Sequence, residues 1–183
     1  MKSLDRRYLK TEKAILDSMV SLLNQKHFDD IQIEDVCLKA DINKSTFYLH
    51  YQSLYFLLSS LEDSFLSSME KLLYEKSGSS LAEIVSFLVS FAKDNKKTLS
   101  AIFKANDYRF NEKVRNIFLP LLMPPSSQKK KRNQDYLILV GSIEGVLTLF
   151  RTFILEKSKM TNEDFVSLVL FFFRNVFSEK SLD

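Results

Sequence analysis

Apolar residues recur three and four positions apart along almost the whole chain, the spacing of helices that bury one stripe. Ile15, Met19, Leu22 and Leu23 mark the inner face of a first helix predicted over residues 9–26, and Phe28 closes the corner after it. Ile33, Val36, Cys37 and Ala40 form a second, short set, and Phe47 and Tyr51 a third. Asp41, Ile42 and Asn43 lie between them and leave room only for a turn, with Asn43 the natural N-cap of the following helix. A long fourth helix is predicted over residues 53–75, with Leu58, Leu61, Phe65 and Leu72 on one face and an end at Ser77, Gly78, Ser79 and Ser80. Leu81, Ile84, Val85 and Leu88 mark a fifth helix, Leu99, Ile102 and Phe103 a sixth, and Phe110, Val114, Ile117 and Phe118 a seventh that stops near Pro120.

Pro124, Pro125, Ser126 and Ser127 then run through Gln128 into the basic tetrad Lys129, Lys130, Lys131 and Arg132, the pattern of a solvated surface loop, with a second DNA contact as the sharper alternative. In the eighth helix, over residues 135–157, Tyr136, Val140, Ile143, Leu147, Phe150 and Ile154 share an apolar face. Gly141, Gly145, Thr148 and Thr152 make a ridge of small residues that lets another helix approach closely. The stretch is apolar enough to raise a membrane span, but Glu144 and Arg151 near its centre are costly in lipid, so no membrane is expected. The last helix, capped by Thr161 with Asp164 at N3, carries Phe165, Leu168, Val169 and Phe172 on one face and Val166, Leu170, Phe173 and Phe177 on another. A helix apolar on two sides needs two partners. The small ridge and the second face (Gly141, Gly145, Thr148, Thr152, Val166, Leu170, Phe173, Phe177) therefore predict a four-helix homodimer interface, the alternative being cover within one chain.

Three glycines and three prolines are too few for a β protein of 183 residues, so the expected fold is all-α, with about nine helices. One cysteine, Cys37, permits no internal disulfide; with no signal pattern, a cytoplasmic protein is expected. Enzyme readings fare poorly. His27 and His50 are the only histidines, Cys37 sits on an inner face, and there is no phosphate loop, metal-ligand spacing or nucleophile motif. No cofactor and no metal are expected; the acids Asp29, Asp30, Glu34 and Asp35 fit no metal loop and suit a solvated helix start.

If the third helix buries Phe47 and Tyr51, then Lys44, Ser45, Thr46, Tyr48 and His50 face outward, and all carry groups that hydrogen-bond phosphates or base edges. Net charge adds no support for nucleic acid here. Residues 1–53 hold eight Lys and Arg against eight Asp and Glu, so the chain's formal +3 comes from elsewhere. Distribution is more telling: Lys2, Arg6, Arg7, Lys10 and Lys13 gather at the N-terminus, a basic arm on a neutral domain.

The run Val36, Ala40, Ile42, Asn43, Thr46, Phe47, Tyr48, His50, Tyr51 and Ser53 resembles the N-terminal signature of the TetR family of bacterial transcriptional regulators, over about residues 9–58. That resemblance implies an all-helical homodimer with a three-helix helix-turn-helix DNA-binding domain at 1–53 and a helical effector-binding and dimerisation domain at 54–183. By the same resemblance Lys44 and Ser45 approach base edges, while Thr46, Tyr48 and His50 contact phosphates. Arg6 and Arg7 lie near the DNA, and Gln32 and Ser53 stand at helix starts that also contact it. Departures are His27 and Asp41 where the family commonly has glycine, Gln32 where it has threonine, and Leu54 where it has a phosphate-pairing lysine. Free N–H groups at the Ser53 helix start remain to bind a phosphate.

The partner implied is double-stranded DNA with an inverted repeat, read by two recognition helices roughly 34 Å apart. An effector is implied too. Phe87, Phe91, Phe103, Phe110 and Phe150 are candidates to line a pocket for an apolar small molecule, although aromatics at helical spacing are more often plain core. The segment Gly141 to Phe153 is similar to regulators of dihydroxyacetone kinase operons, which keeps a protein effector beside a small molecule. The expectation is a repressor of a palindromic operator; the alternative is a helical dimer with a degenerate head that acts through protein contacts.

Overall fold

The structure is a computed structural model that describes residues 2–76, 78–105, 108–122, 133–156 and 160–177. Ser77, the segment from Pro124 to Arg132 and the side chain of Phe177 lie outside the described residues. Nine α-helices and no strand occur among those described, so the fold is all-α as the periodicity predicted. They are α1 (Lys2–Leu23), α2 (Ile33–Ala40), α3 (Lys44–His50), α4 (Leu54–Tyr74), α5 (Leu81–Asp94), α6 (Lys96–Ala105), α7 (Tyr108–Leu122), α8 (Asn133–Leu155) and α9 (Asn162–Phe177), with a single 3-10 turn at Phe28–Asp30.

The helices gather into two compact units, one of Met1–Ser67 with Lys97–Asn106, the other of Ser68–Lys96 with Asp107–Asp183. The first unit thus runs beyond residue 53, taking in much of α4 and nearly all of α6. Its core is built from Ile15, Met19 and Leu23 of α1, Val36 of α2, Phe47 of α3, Leu57 and Leu58 of α4, and Leu99 and Ile102 of α6, all buried. α6 is tied to the end of α1 by polar bonds as well. The Asn24 amide donates to the Lys97 carbonyl at 2.9 Å, and Lys104 Nζ donates to the Asn24 carbonyl at 3.2 Å, an acceptor that the end of α1 leaves open.

Two expectations in this region are corrected. α1 begins at Lys2 rather than Leu9, because residues 2–8 contain no helix breaker and Tyr8 has a ring to pack on. Leu72 lies exposed although it continues the stripe of Leu58, Leu61 and Phe65; that stripe is covered only as far as Met69.

In the second unit α9 packs against α5 and α8, and α8 against α7. Its buried face is Phe165, Val169 and Phe173, at i, i+4 and i+8. Phe165 stacks on Phe153 at 4.1 Å and meets Phe150 edge-on at 5.1 Å. This rearranges the two faces read from sequence: Phe173, expected on the outer face, is buried in its own chain, while Phe172 is only half-buried. Gly145 also serves the chain itself, since a Cβ there would lie 2.8 Å from Phe172 Cζ. Gly141 faces open space. Glu144, a carboxylate midway along apolar α8, accepts from Asn111 Nδ2 at 2.7 Å and pairs with Arg115 of α7 at 3.4 Å. Finally, α7 continues to Leu122 through Pro120. A proline in the last turn forfeits one hydrogen bond where the helix is about to lose its ladder anyway.

Candidate nucleic-acid interface

The α2–turn–α3 segment owes its geometry to three residues. Asp41 ends α2 in the left-handed region, φ 53° and ψ 52°, where its N–H and that of Ile42 return to the carbonyls of Leu38 and Cys37. Asp adopts this conformation more readily than most side chains, so the glycine usual in the resembled family is dispensable. Asn43 then caps α3: its Oδ1 accepts the Thr46 N–H at 2.8 Å and the Ser45 hydroxyl at 2.7 Å. Phe47 is wholly buried and Tyr51 nearly so, which fixes the roll of the helix. The Tyr51 hydroxyl reaches Glu12 of α1 at 3.4 Å and Ser60 of α4 at 3.5 Å; burial above all raises its pKa.

With that roll, Lys44, Ser45 and Tyr48 are exposed and Thr46 is half-exposed, as the pattern predicted. His50 differs. It stacks on Tyr8 at 4.0 Å, its Nδ1 is buried with no hydrogen-bond partner, and burial lowers its pKa against the opposing pull of Glu12. It is as much a packing residue as a surface one, because the helical extension of α1 brings Tyr8 to it. Arg6, Arg7, Lys10 and Lys13 are exposed on α1, so the basic arm is a helix. Gln32 is exposed at the N-cap of α2, and its N–H donates to Asp35 Oδ2 at 2.8 Å. Asp35 also binds Lys26 at 2.6 Å, and that ammonium first, then the Gln32 N–H, draws its pKa down. Ser53 Oγ accepts the Phe56 N–H at 3.3 Å and so caps α4.

Several residues of this surface escaped the sequence reading. Glu34 Oε1 accepts the Lys44 ammonium. That bond holds the Glu34 carboxyl below, and the Lys44 ammonium above, its ordinary range. The signal was present, ten residues apart, but only the turn geometry brings the pair together. Leu38 and Leu49 are 86% and 77% exposed on the same motif. An open groove beside the turn is lined by Thr11, Cys37, Leu38, Asp41, Ile42, Asn43 and Thr46.

The five candidate pocket phenylalanines are divided between the two units. Phe103 belongs to the first unit and the other four to the second. Phe91, Phe110 and Phe150 are buried; Phe87 sits beside Phe91 at 5.9 Å, with the Lys76 ammonium over its ring at 5.6 Å. Among the described residues, no group of three or more His, Cys, Asp or Glu side chains is arranged to hold a metal ion.

An all-helical chain opening with this helix-turn-helix, a long α4 and a helical body has the fold of the TetR-type transcriptional regulators. The chain is similar over 92% of its length to a TetR transcriptional regulator from Streptococcus agalactiae 2603V, matching 98% of that protein with a TM-score of 0.71 at 21% identity. Lin0861 from Listeria innocua superposes with a TM-score of 0.68 at 18% identity, over 93% of this chain and 92% of that one. No family profile and no curated protein matches the sequence. At these identities the likeness is one of fold.

Proposed function

We propose that the protein is a homodimeric DNA-binding transcriptional regulator of the TetR type, a cytoplasmic repressor of a palindromic operator that a small molecule or a protein effector retunes. The observation that carries this reading is α3 itself: a capped helix behind a left-handed turn, rolled so that Lys44, Ser45 and Tyr48 project from the surface while Phe47 and Tyr51 anchor it. Lys44 and Ser45 meet base edges, and Thr46, Tyr48 and Ser53 meet phosphates, with Arg6, Arg7 and Gln32 at the margins and His50 steadying the helix through Tyr8. The domain division at residue 53 is retained as a functional one, head against body.

The dimer reading rests on exposed apolar surface in the second unit. Tyr136–Leu155 is long and apolar enough to cross a membrane, and only 28% of it is buried, yet Glu144 is held by α7 as in a packed protein helix. Leu137, one turn before the open Gly141 on α8, and Phe171 on α9 are 65% and 66% exposed. Covering them with the same face of a second copy gives an isologous four-helix interface, with Thr148, Thr152, Val166 and Leu170 at its contact. Two equivalent heads follow from that symmetry, and an inverted repeat with half-sites one DNA turn apart, roughly 34 Å, is the site such a dimer would read.

Selection of bound duplexes from a random DNA pool, with the Tyr48→Ala variant alongside, tests the proposal. Enrichment of an inverted repeat by the unaltered protein only is the expected result. No enrichment at any salt defeats it and favours the rival reading, a helical dimer acting through protein contacts, which the exposed Leu38 and Leu49 would then serve.

A further inference from the structure

Lys44 is the only Lys or Arg in α3, and it does not stand free. Its ammonium is bound by Glu34 of α2, with both side chains more than half exposed. We infer that Glu34 is a specificity-determining residue, an electrostatic latch that keeps the recognition helix neutral toward arbitrary DNA and releases Lys44 only to acceptors on the right base pairs. The inference rests on the DNA-binding reading above.

The neighbouring acid shows why Glu34 is the odd one. Asp35 is built into the fold, holding the Gln32 N–H at the start of α2 and the Lys26 ammonium at the end of the α1 segment. Glu34 has the lighter duty: in the first turn of α2 its carboxylate meets its own backbone N–H and, beyond that helix, the Lys44 ammonium. A solvated carboxylate placed on the sole basic side chain of a recognition helix works against DNA affinity. It cancels the charge that would otherwise attract any phosphate, which is the sequence-independent part of binding.

A lysine ammonium has three donors on a flexible stem, so it can leave a carboxylate for a guanine presenting O6 and N7 together. Glu34, already solvated, then returns to water at small cost, and the exchange favours only sites that offer enough acceptors to replace it. Discrimination improves because binding to all other sequences is held down.

The test is Glu34→Gln, read on the selected operator and on a random duplex across a salt series, with Lys44→Ala and the double variant completing the cycle. Glu34→Gln should tighten random-duplex binding about two- to five-fold at low salt and steepen the dependence of log K on log salt by about 0.9, one further phosphate contact. The ratio of operator to random affinity should fall, and the thermal midpoint should drop by no more than about 2–4 °C, the worth of one first-turn carboxylate. In the Lys44→Ala background the gain should vanish. Unchanged or weaker binding to both duplexes overturns the latch, as does a gain that survives without Lys44. If the unaltered protein binds no duplex, the DNA-binding reading itself fails, which is read before any variant is made.

Discussion

Replacing Asn43 by Ala removes the cap of α3, the shortest α-helix among the described residues, and its consequence can be worked from two bonds. Asn43 Oδ1 accepts the Thr46 N–H at 2.8 Å and the Ser45 hydroxyl at 2.7 Å. The hydroxyl is exposed and turns to water, so its loss is nearly neutral; the N–H is an orphan of the first turn, and losing such a cap costs about 1 kcal/mol. For a chain of this size that lowers the thermal midpoint by about 2–4 °C. The effect on DNA is more specific. α3 has seven residues, too few to hold itself together, so the loss is taken locally as fraying of the turn that carries Lys44, Ser45 and Thr46. A bias of about 1 kcal/mol against the ordered turn lowers affinity by at most about five-fold, and by the same factor on every duplex, operator or not. Asn43→Ser keeps a capping oxygen and should recover most of both losses. Differential scanning fluorimetry with duplex-binding titrations would decide it. If Ser and Ala behave alike, or if Ala lowers the midpoint without touching DNA binding, then the cap does not organise a recognition surface.

Other outcomes are expected. Phe171→Glu should shift the sedimentation of the protein toward monomer while leaving its helical circular dichroism intact, whereas Phe173→Glu, inside the chain, should abolish folding. The pKa of His50 is lowered by burial, so the folded state prefers it neutral; its stabilisation is complete above the unfolded value of 6.5 and is lost as pH falls toward the folded value. His50→Phe, which keeps the stack on Tyr8, should remove that acid-side decline from urea midpoints measured between pH 7 and 5. Burial raises the Cys37 thiol, and a disulfide reagent at pH 8 should modify it slowly until denaturant is added, with rapid reaction in native protein counting against the packing described.

The head was the most legible part of the chain because its information is local. Asp41, Asn43, Phe47 and Tyr51 set a turn, a cap and a roll within eleven residues, and the polar surface follows from the roll. Contacts between helices were not written in the same way. Tyr8 on His50 and Glu34 on Lys44 exist only once the turn angle is fixed. α9 was legible as a helix but not in its orientation: in Phe171, Phe172 and Phe173 every direction is apolar, so hydrophobicity cannot select the inner face. Neighbours decide it. Gly145 leaves space for Phe172, Phe150 and Phe153 enclose Phe165, and Phe173 follows two turns along the same face. Within the small ridge on α8, Gly145 accommodates Phe172 of the same chain, which the spacing alone did not indicate.

The first compact unit is assembled from two separate stretches of sequence, Met1–Ser67 and Lys97–Asn106, with Asn24 bonded to Lys97 and Lys104. A newly made chain therefore cannot complete this unit when its first 67 residues emerge from the ribosome. It must wait about forty residues more, two to eight seconds at ordinary rates of synthesis, with the apolar surface that meets α6 still bare. The same discontinuity limits recombination: exchanging residues 1–53 between chains of this fold moves α3 but separates it from the α6 that completed its core. Exchange of the exposed α3 positions alone, Lys44, Ser45 and Tyr48, leaves that core whole, Phe47 included, and is the smaller graft by which, on the proposed function, an operator preference would be transplanted.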